Sequence, residues 1–417
     1  MAIKGGDLLH IGNQVLIERA QTAGPGQLNI PSEKVYELGN YHSVATIFDI
    51  PDLTFNLDSL DASAALEALL THQTYSTMAQ GTAIDLSRAV PLDVLGQFKP
   101  GRLDTNPFDV HASIVTPYLT LEQVNYRFGL KDKAQQTAVL RGDSIYYNPG
   151  PGFDEEFVGT ATAGQVVTPA HPAFPYKGDV LTGTRYMLGV MTFAGRRLRF
   201  GTDYTEVAGA PDAITGASTV TVNITAAVAV TDGIRICYAS PVTATYPGTT
   251  PPGTIHTPDS VTKPAAIRGK DIEVYVGGEL VSNRWNSVQA VTCDYRVTLQ
   301  KDEEFGNRQF VSQDYDVPTV NGTIQIKPRD ITELLTRVRQ VANVATPTEV
   351  AGPLNTTPLE VLIRLHSPID GSVLKDIVVP DARITVPAVQ GRVNQKIDVT
   401  FNFESDGGNI LVYKGGK

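Results

Sequence analysis

One segment of this chain occurs twice, and a duplication constrains the fold more than any single motif can. Glu37-Leu38-Gly39-Asn40 returns 267 residues later as Glu304-Phe305-Gly306-Asn307. At that offset Val44 falls on Val311, Phe48 on Tyr315, Asp49 on Asp316, Ile50 on Val317 and Pro51 on Pro318. A helical pattern follows each time, first in 61–70 and then in 330–338. A second match, at an offset of 251, lays Pro107-Phe108-Asp109-Val110 through Pro117 over Pro358-Leu359-Glu360-Val361 through Pro368. The blocks end alike, in Asp143-Ser144-Ile145-Tyr146-Tyr147 and Asn409-Ile410-Leu411-Val412-Tyr413. Four elements in one order read as two copies of a fold, residues 1–150 and 268–417, around a different segment, 151–267.

Each copy reads as strand, turn, strand, helix, strands. Val291, Cys293, Tyr295, Val297 and Leu299 alternate with Thr292, Asp294, Arg296, Thr298 and Gln300, the period of a half-buried strand. Residues 301–307 form the expected turn and 309–317 the returning strand. Asp330 with Glu333 makes a capping-box start, and Ile331, Leu334, Leu335, Val338 and Val341 share a helix face. Ser405-Asp406-Gly407-Gly408 is a turn between the last two strands. The middle segment is Thr-, Ala-, Val- and Gly-rich. Its short alternating runs around 195–205, 218–222 and 233–238 predict a small β-sandwich, with Pro-rich flanks such as 246–253 as extended linkers.

Composition agrees with a β-rich chain. Its 27 Pro and 37 Gly disfavour long helices, and 41% apolar residues are too many for a disordered polymer. Acidic side chains number 44 against 34 basic, a net charge of −10, which disfavours gripping nucleic acid by its phosphates. The first residues turn polar before any apolar run of signal length, and no stretch reaches the ~18 apolar residues of a membrane span. Synthesis in a cytoplasm, with no membrane span, is expected. Cys237 and Cys293 fit neither a disulfide framework nor a zinc motif, so two buried free thiols are expected.

Chemistry-bearing motifs are missing from the sequence. It holds no HExxH, GxSxG, P-loop or strand-following GxGxxG, and no two of its seven histidines stand at i+2 or i+4. Arg141-Gly142-Asp143 reads as a turn rather than an adhesion tripeptide, and Asp302-Glu303-Glu304 as a solvated hairpin tip. Arg196-Arg197-Leu198-Arg199 reads as a solvated edge strand or a contact for an acidic partner. Trp285 suits an interface or the core equally. No enzyme activity and no cofactor are expected.

The second copy resembles tail tube proteins of long-tailed bacteriophages. The likeness lies in Ser287-Val288-Gln289 leading into the long hairpin with Glu304-Phe305-Gly306-Asn307, then Asp316-Val317-Pro318-Thr319-Val320-Asn321-Gly322-Thr323, a short helix, Val378-Val379-Pro380-Asp381-Ala382 and Phe401-Asn402-Phe403. The first copy is similar through Tyr36–Asn40 and Asp49-Ile50-Pro51-Asp52-Leu53-Thr54. The resemblance implies a mainly β fold of two tandem tube-type β-barrels, each with a short flanking helix. The middle segment resembles the Ig-like decorations of phage virions. It further implies rings of three chains with pseudo-sixfold symmetry, stacked into a tube through which double-stranded DNA passes without specific binding. The expected partners are further copies of the chain, tail terminator, baseplate, tape measure and sheath proteins. The expected location is the virion, after assembly in the host cytoplasm. Candidate lumen residues are Asp49, Asp294, Asp314 and Asp316; candidate ring-stacking residues are Asp302, Glu303, Glu304 and Phe305. The competing expectations are a baseplate or hub protein with the same duplicated fold, and a carbohydrate-binding adhesin using Phe174, Tyr176 and Tyr186.

Overall fold

Strand alternation sorts the side chains to two faces. In Val288–Arg296 the side chains of Val291, Cys293 and Tyr295 are buried, while Thr292, Asp294 and Arg296 stand on the opposite, polar face. A computed structural model describes residues 8–11, 14–15, 20–35, 45–48, 50–60, 63–73, 75–98, 112–159, 164–177, 183–225, 233–241, 267–281, 288–302, 310, 312–327, 358–385 and 399–417. The chain is mainly β, as expected, and its named ladders are antiparallel.

The first set of strands is β1 (Leu8–Ile11), β2 (Gln14–Val15), β3 (Ala20–Asn29), β4 (Ser32–Val35), β5 (Ala45–Phe48), β6 (Asp52–Ser59), β7 (Ala83–Asp85), β8 (Leu92–Phe98), β9 (Ala112–Gly129), β10 (Gln135–Gly142) and β11 (Tyr146–Asn148). The middle strands are β12 (Gly152–Val158), β13 (Val166–Val167), β14 (Tyr176–Lys177), β15 (Thr184–Arg185), β16 (Met187–Thr192), β17 (Tyr204–Ala208), β18 (Val220–Ile224) and β19 (Gly233–Ala239). The last set is β20 (Ile272–Val276), β21 (Glu279–Leu280), β22 (Val288–Arg296), β23 (Leu299–Asp302), β24 (Ser312–Tyr315), β25 (Thr319–Ile326), β26 (Leu359–His366), β27 (Val373–Thr385), β28 (Val399–Ser405) and β29 (Leu411–Lys414).

Hydrogen bonding repeats one order twice. The first set runs β2-β1-β8-β9-β10-β6-β3, with β11 further along the same side of β9 as β10. The last set runs β21-β20-β26-β27-β28-β25-β22, with β29 in the place of β11. Hairpins β4·β5 and β23·β24 fall at matching points. This order corrects the match at an offset of 251, which laid the start of β9 over β26, strands with different neighbours. β26 instead takes the place of β8, and Leu359 stands 267 residues beyond Leu92, so the first offset continues. The error has a physical source: one-sided apolar alternation looks alike in every strand of a sheet.

The expected closed barrels are absent from the described residues. The C-terminal half of β9 gives its second edge to β22, from Ala290 opposite Gly129 to Arg296 opposite Gln123. The two sets therefore fuse edge to edge into one large open sheet instead of each closing on itself. One hydrophobic core serves both, with Leu53, Phe55, Leu57 and Leu140 in the same cluster as Val291, Tyr295, Phe401 and Phe403. Volume is exchanged between the repeats: Phe55 faces Leu140 across β6·β10, and Gly322 faces Phe403 across β25·β28. A Cβ on Gly322 would lie 2.0 Å from the Phe403 ring, so the larger aromatic is accommodated by the missing side chain.

The helix α1 (Ala65–Leu70) is shorter than the 61–70 pattern, and all six of its residues are buried. The matching pattern at 330–341 lies outside the described residues. In the middle segment, β12-β19-β16 and β13-β18-β17 form two three-stranded sheets that share a core of Val190, Tyr204, Val222, Ile234, Ile236 and Tyr238. The entry to this segment is no flexible linker. Pro149-Gly150-Pro151 alone joins β11 to β12, and a Cβ on Gly150 would lie 2.2 Å from the Ser240 carbonyl oxygen. The Pro-rich 246–253 stretch lies outside the described residues.

Candidate functional site: the polar sheet face and its joints

The period of two that fills the core leaves a continuous polar face on the other side of β6, β10, β9, β22, β25 and β28. Thr54, Thr137, Asn125, Thr292, Asn321 and Asn402 stand on it. Hydroxyls and amides dominate, and several of the charges between them are engaged by neighbouring side chains. Arg141 Nε donates to Glu122 Oε2 at 2.6 Å, and its Nη1 lies 3.4 Å from Asp52 Oδ2. Lys301 Nζ donates to the other Asp52 oxygen at 2.6 Å. Asp294 Oδ1 accepts from Gln123 Nε2 at 2.7 Å, across the seam where β22 meets β9. Beside it, Arg296 Nη2 donates to Gln123 Oε1 at 3.3 Å. Thr292 and Thr323 hydroxyls meet at 2.7 Å. Such a face offers polyanions no surplus of cations to grip.

Among the described side chains, Asp294 is the predicted lumen residue found on this face, half-buried and hydrogen-bonded rather than a bare carboxylate. Asp316 lies exposed between β24 and β25, where its Oδ1 accepts from the Val317 N–H at 2.8 Å. Asp314 sits in β24 opposite Gln300, its side chain outside the described residues, and Asp49 lies wholly outside them. Asp302 is exposed at the end of β23, opposite Ser312. Glu303, Glu304, Phe305 and Trp285 lie outside the described residues.

The arginine cluster is split between surface and interior, with Arg196 exposed and Arg197 buried. Arg196 and Arg199 both pair with Asp203, at 3.2 and 3.6 Å. Arg197 is buried and donates to Asp143 Oδ2 at 2.6 Å. That bond removes Asp143 from any presented tripeptide. Phe174 and Tyr176 pack in the cluster of Leu95, Val115 and Leu188 that joins the middle segment to β8 and β9, and Tyr186 packs against the segment's own core. Cys237 and Cys293 are free and buried, and burial pushes the Cys293 thiol up to about 12.

Sequence reasoning missed a second joint, where β12 and β19 meet β8. Asp93, Asp154 and Arg235 are all buried there. Arg235 Nε lies 3.7 Å from Asp154 Oδ2, and Arg235 Nη2 donates to Glu156 Oε1 at 3.3 Å. Neither Asp154 side-chain oxygen accepts a hydrogen bond. Burial and the neighbouring Asp93 charge push the Asp154 carboxyl well above the usual carboxylate range, against the pull of Arg235. A raised native pKa means that the unfolded chain ionises first. Stability from this group is full below the unfolded value, about 3.9, and is lost as pH rises towards the native one. Asp154→Asn should therefore gain on the wild type in thermal melts as pH goes from 5 to 8. A difference between the two proteins that does not change with pH would contradict this assignment. The only sequence signal was acidic residues inside apolar strands.

Among the described residues no helix is long and apolar enough to cross a membrane. No model of a known protein family matches the chain, and no curated protein matches it.

Proposed function

We propose that this chain is a structural subunit of the tail tube of a long-tailed bacteriophage. In this reading, residues 1–150 and 268–417 are two copies of one tube-type fold, 151–267 is an inserted Ig-like domain, and three chains make a pseudo-sixfold ring. The observation that carries it is the strand order repeated in both sets, joined by β22 adding to the edge of β9. An edge joint between successive, similar units is heterologous, and heterologous joints repeated about an axis close into rings. Pairing also covers edges that would otherwise promote aggregation. The polar face, which carries no surplus of cations, suits a wall past which DNA slides. Partners would be further copies of the chain and the proteins that end, anchor, measure or sheathe a tail. The role needs neither catalysis nor a cofactor.

Negative-stain microscopy of the purified chain tests the reading. Long hollow filaments are expected. Single rings that never stack would favour a hub or baseplate role, and a monomer at high concentration would refute both.

A further inference from the structure

One buried cluster in the shared core holds an amine, a carboxyl and a carboxamide in mutual contact. Lys375 on β27, Glu67 on α1, Gln136 on β10 and Tyr126 on β9 are each 3% exposed or less. Lys375 Nζ donates to Gln136 Oε1 at 3.1 Å and also meets Glu67 Oε1. The same Glu67 oxygen accepts from Gln136 Nε2 at 2.8 Å and from Tyr126 Oη at 2.6 Å, while Glu67 Oε2 accepts nothing. The neighbours fix the orientation of the Gln136 amide, because a flip would set its NH2 group against the ammonium and its oxygen against the carboxylate. A buried charge pair is weak evidence of stabilisation in itself. One carboxyl oxygen touching both an amine and an amide nitrogen has a chemical use.

We infer that the folded chain joins Lys375 to Gln136 through an isopeptide bond, with Glu67 as the proton carrier. Glu67 Oε1 takes a proton from the Lys375 ammonium, and the free amine attacks Gln136 Cδ to form the Nζ–Cδ bond. Glu67 gives that proton to Nε2. The Cδ–Nε2 bond breaks, and ammonia leaves with its electron pair. A second Nζ proton passes through Glu67 to the departing ammonia, so the products are a neutral secondary amide, ammonium and the original carboxylate. A single oxygen in contact with both nitrogens is the geometry this shuttle requires. Contact within one chain replaces a collision between molecules, and burial keeps out water, the competing nucleophile. Burial and the Glu67 charge hold the Tyr126 hydroxyl well above its ordinary pKa, so it stays a donor to the carboxyl and does not act as a rival base. Were Glu67 the electrophile instead, no second carboxyl among the described residues touches the cluster to carry the proton.

The bond connects β10 to β27 across 239 residues of chain, and so fastens the first strand set to the last around the middle segment. It is intramolecular and needs no ring, so it holds or fails independently of the tube reading. Only a deprotonated amine is a nucleophile. The ammonium–carboxylate pair is therefore the state before reaction, and the link accumulates as the folded chain ages.

Intact-mass measurement of the denatured full chain tests it, on fresh protein and after days in mildly alkaline buffer below the melting temperature. The aged chain should be lighter by one ammonia. Trypsin should then release residues 134–141 joined to 365–383, uncut at Lys375. Gln136→Met removes the electrophile, and Lys375→Arg keeps a cation that does not give up its proton. Both variants should keep their full mass when aged, with circular dichroism showing them folded. An aged wild-type chain of full mass would overturn the inference, whether or not the variants fold. Loss of one water, persisting in Gln136→Met, would put the bond on Glu67 and overturn the Gln136 assignment. Ammonia loss that persists in Gln136→Met would locate the reaction at another amide and overturn it as well.

Discussion

Replacing Lys375 with methionine should remove about 3–5 kcal/mol of folding stability, the loss expected when a buried ion pair is broken from one side. Lys375 on β27 is 1% exposed, and its partner Glu67 on α1 is fully buried, although 308 residues separate them. The ammonium group also donates to Gln136 Oε1 at 3.1 Å. Glu67 Oε1 accepts from Tyr126 Oη at 2.6 Å and from Gln136 Nε2 at 2.8 Å. Burial and the Glu67 charge together hold the Tyr126 hydroxyl well above its ordinary pKa. With the lysine gone, a carboxylate inside an apolar core keeps two neutral donors and loses its counter-charge, so it must ionise at great cost or bind a proton. The urea midpoint should fall with little change in slope. Adding Glu67→Gln removes the stranded charge, and the double variant should recover most of the loss. A single variant within about 1 kcal/mol of wild type would show that the pair does not bind the two strand sets together, since breaking a buried pair is expected to cost several times that.

Arg197→Met should cost a similar amount, about 3–5 kcal/mol by the same logic, but with a local signature. Its guanidinium ties three parts of the chain: Asp143 beyond β10 at 2.6 Å, the Phe310 carbonyl at 3.4 Å, and the Tyr118 ring at 5.1 Å from the guanidinium carbon to the ring centroid. Asp143 also accepts the Phe310 N–H at 3.0 Å and the Ser144 hydroxyl, so the substitution leaves a carboxylate held by two neutral donors. Amide exchange should rise first in β16 and β19, which sit on β8 and β9, while β22 and β25 stay protected. The loss should add to that of Lys375→Met, because the two sites share no partner. Uniform loss of protection across the whole sheet would contradict a local joint.

These two sites mark the limit of what the sequence displays. Alternation revealed the buried faces of Val291, Cys293 and Tyr295, and the runs at 218–222 and 233–238 anticipated β18 and β19. Side-chain period and turn residues are written locally, so they can be read locally. Which edge β22 joins is not, because its bonds to β9 use backbone groups that every residue has. Lys375 reads as an ordinary polar residue until the fold brings Glu67 to it from 308 positions away. The acidic excess suggested a negative wall, yet Asp294 and Asp52 are both engaged by neighbouring side chains on the polar face. Charge counted along a chain does not say where it is compensated.

In the tube reading one chain supplies two successive units of a ring. Mass measurement of a single ring, by native mass spectrometry or by symmetry in averaged micrographs, tests it most directly. Three chains and threefold symmetry, with six similar sheet segments around the axis, are expected. A ring of six chains would contradict it.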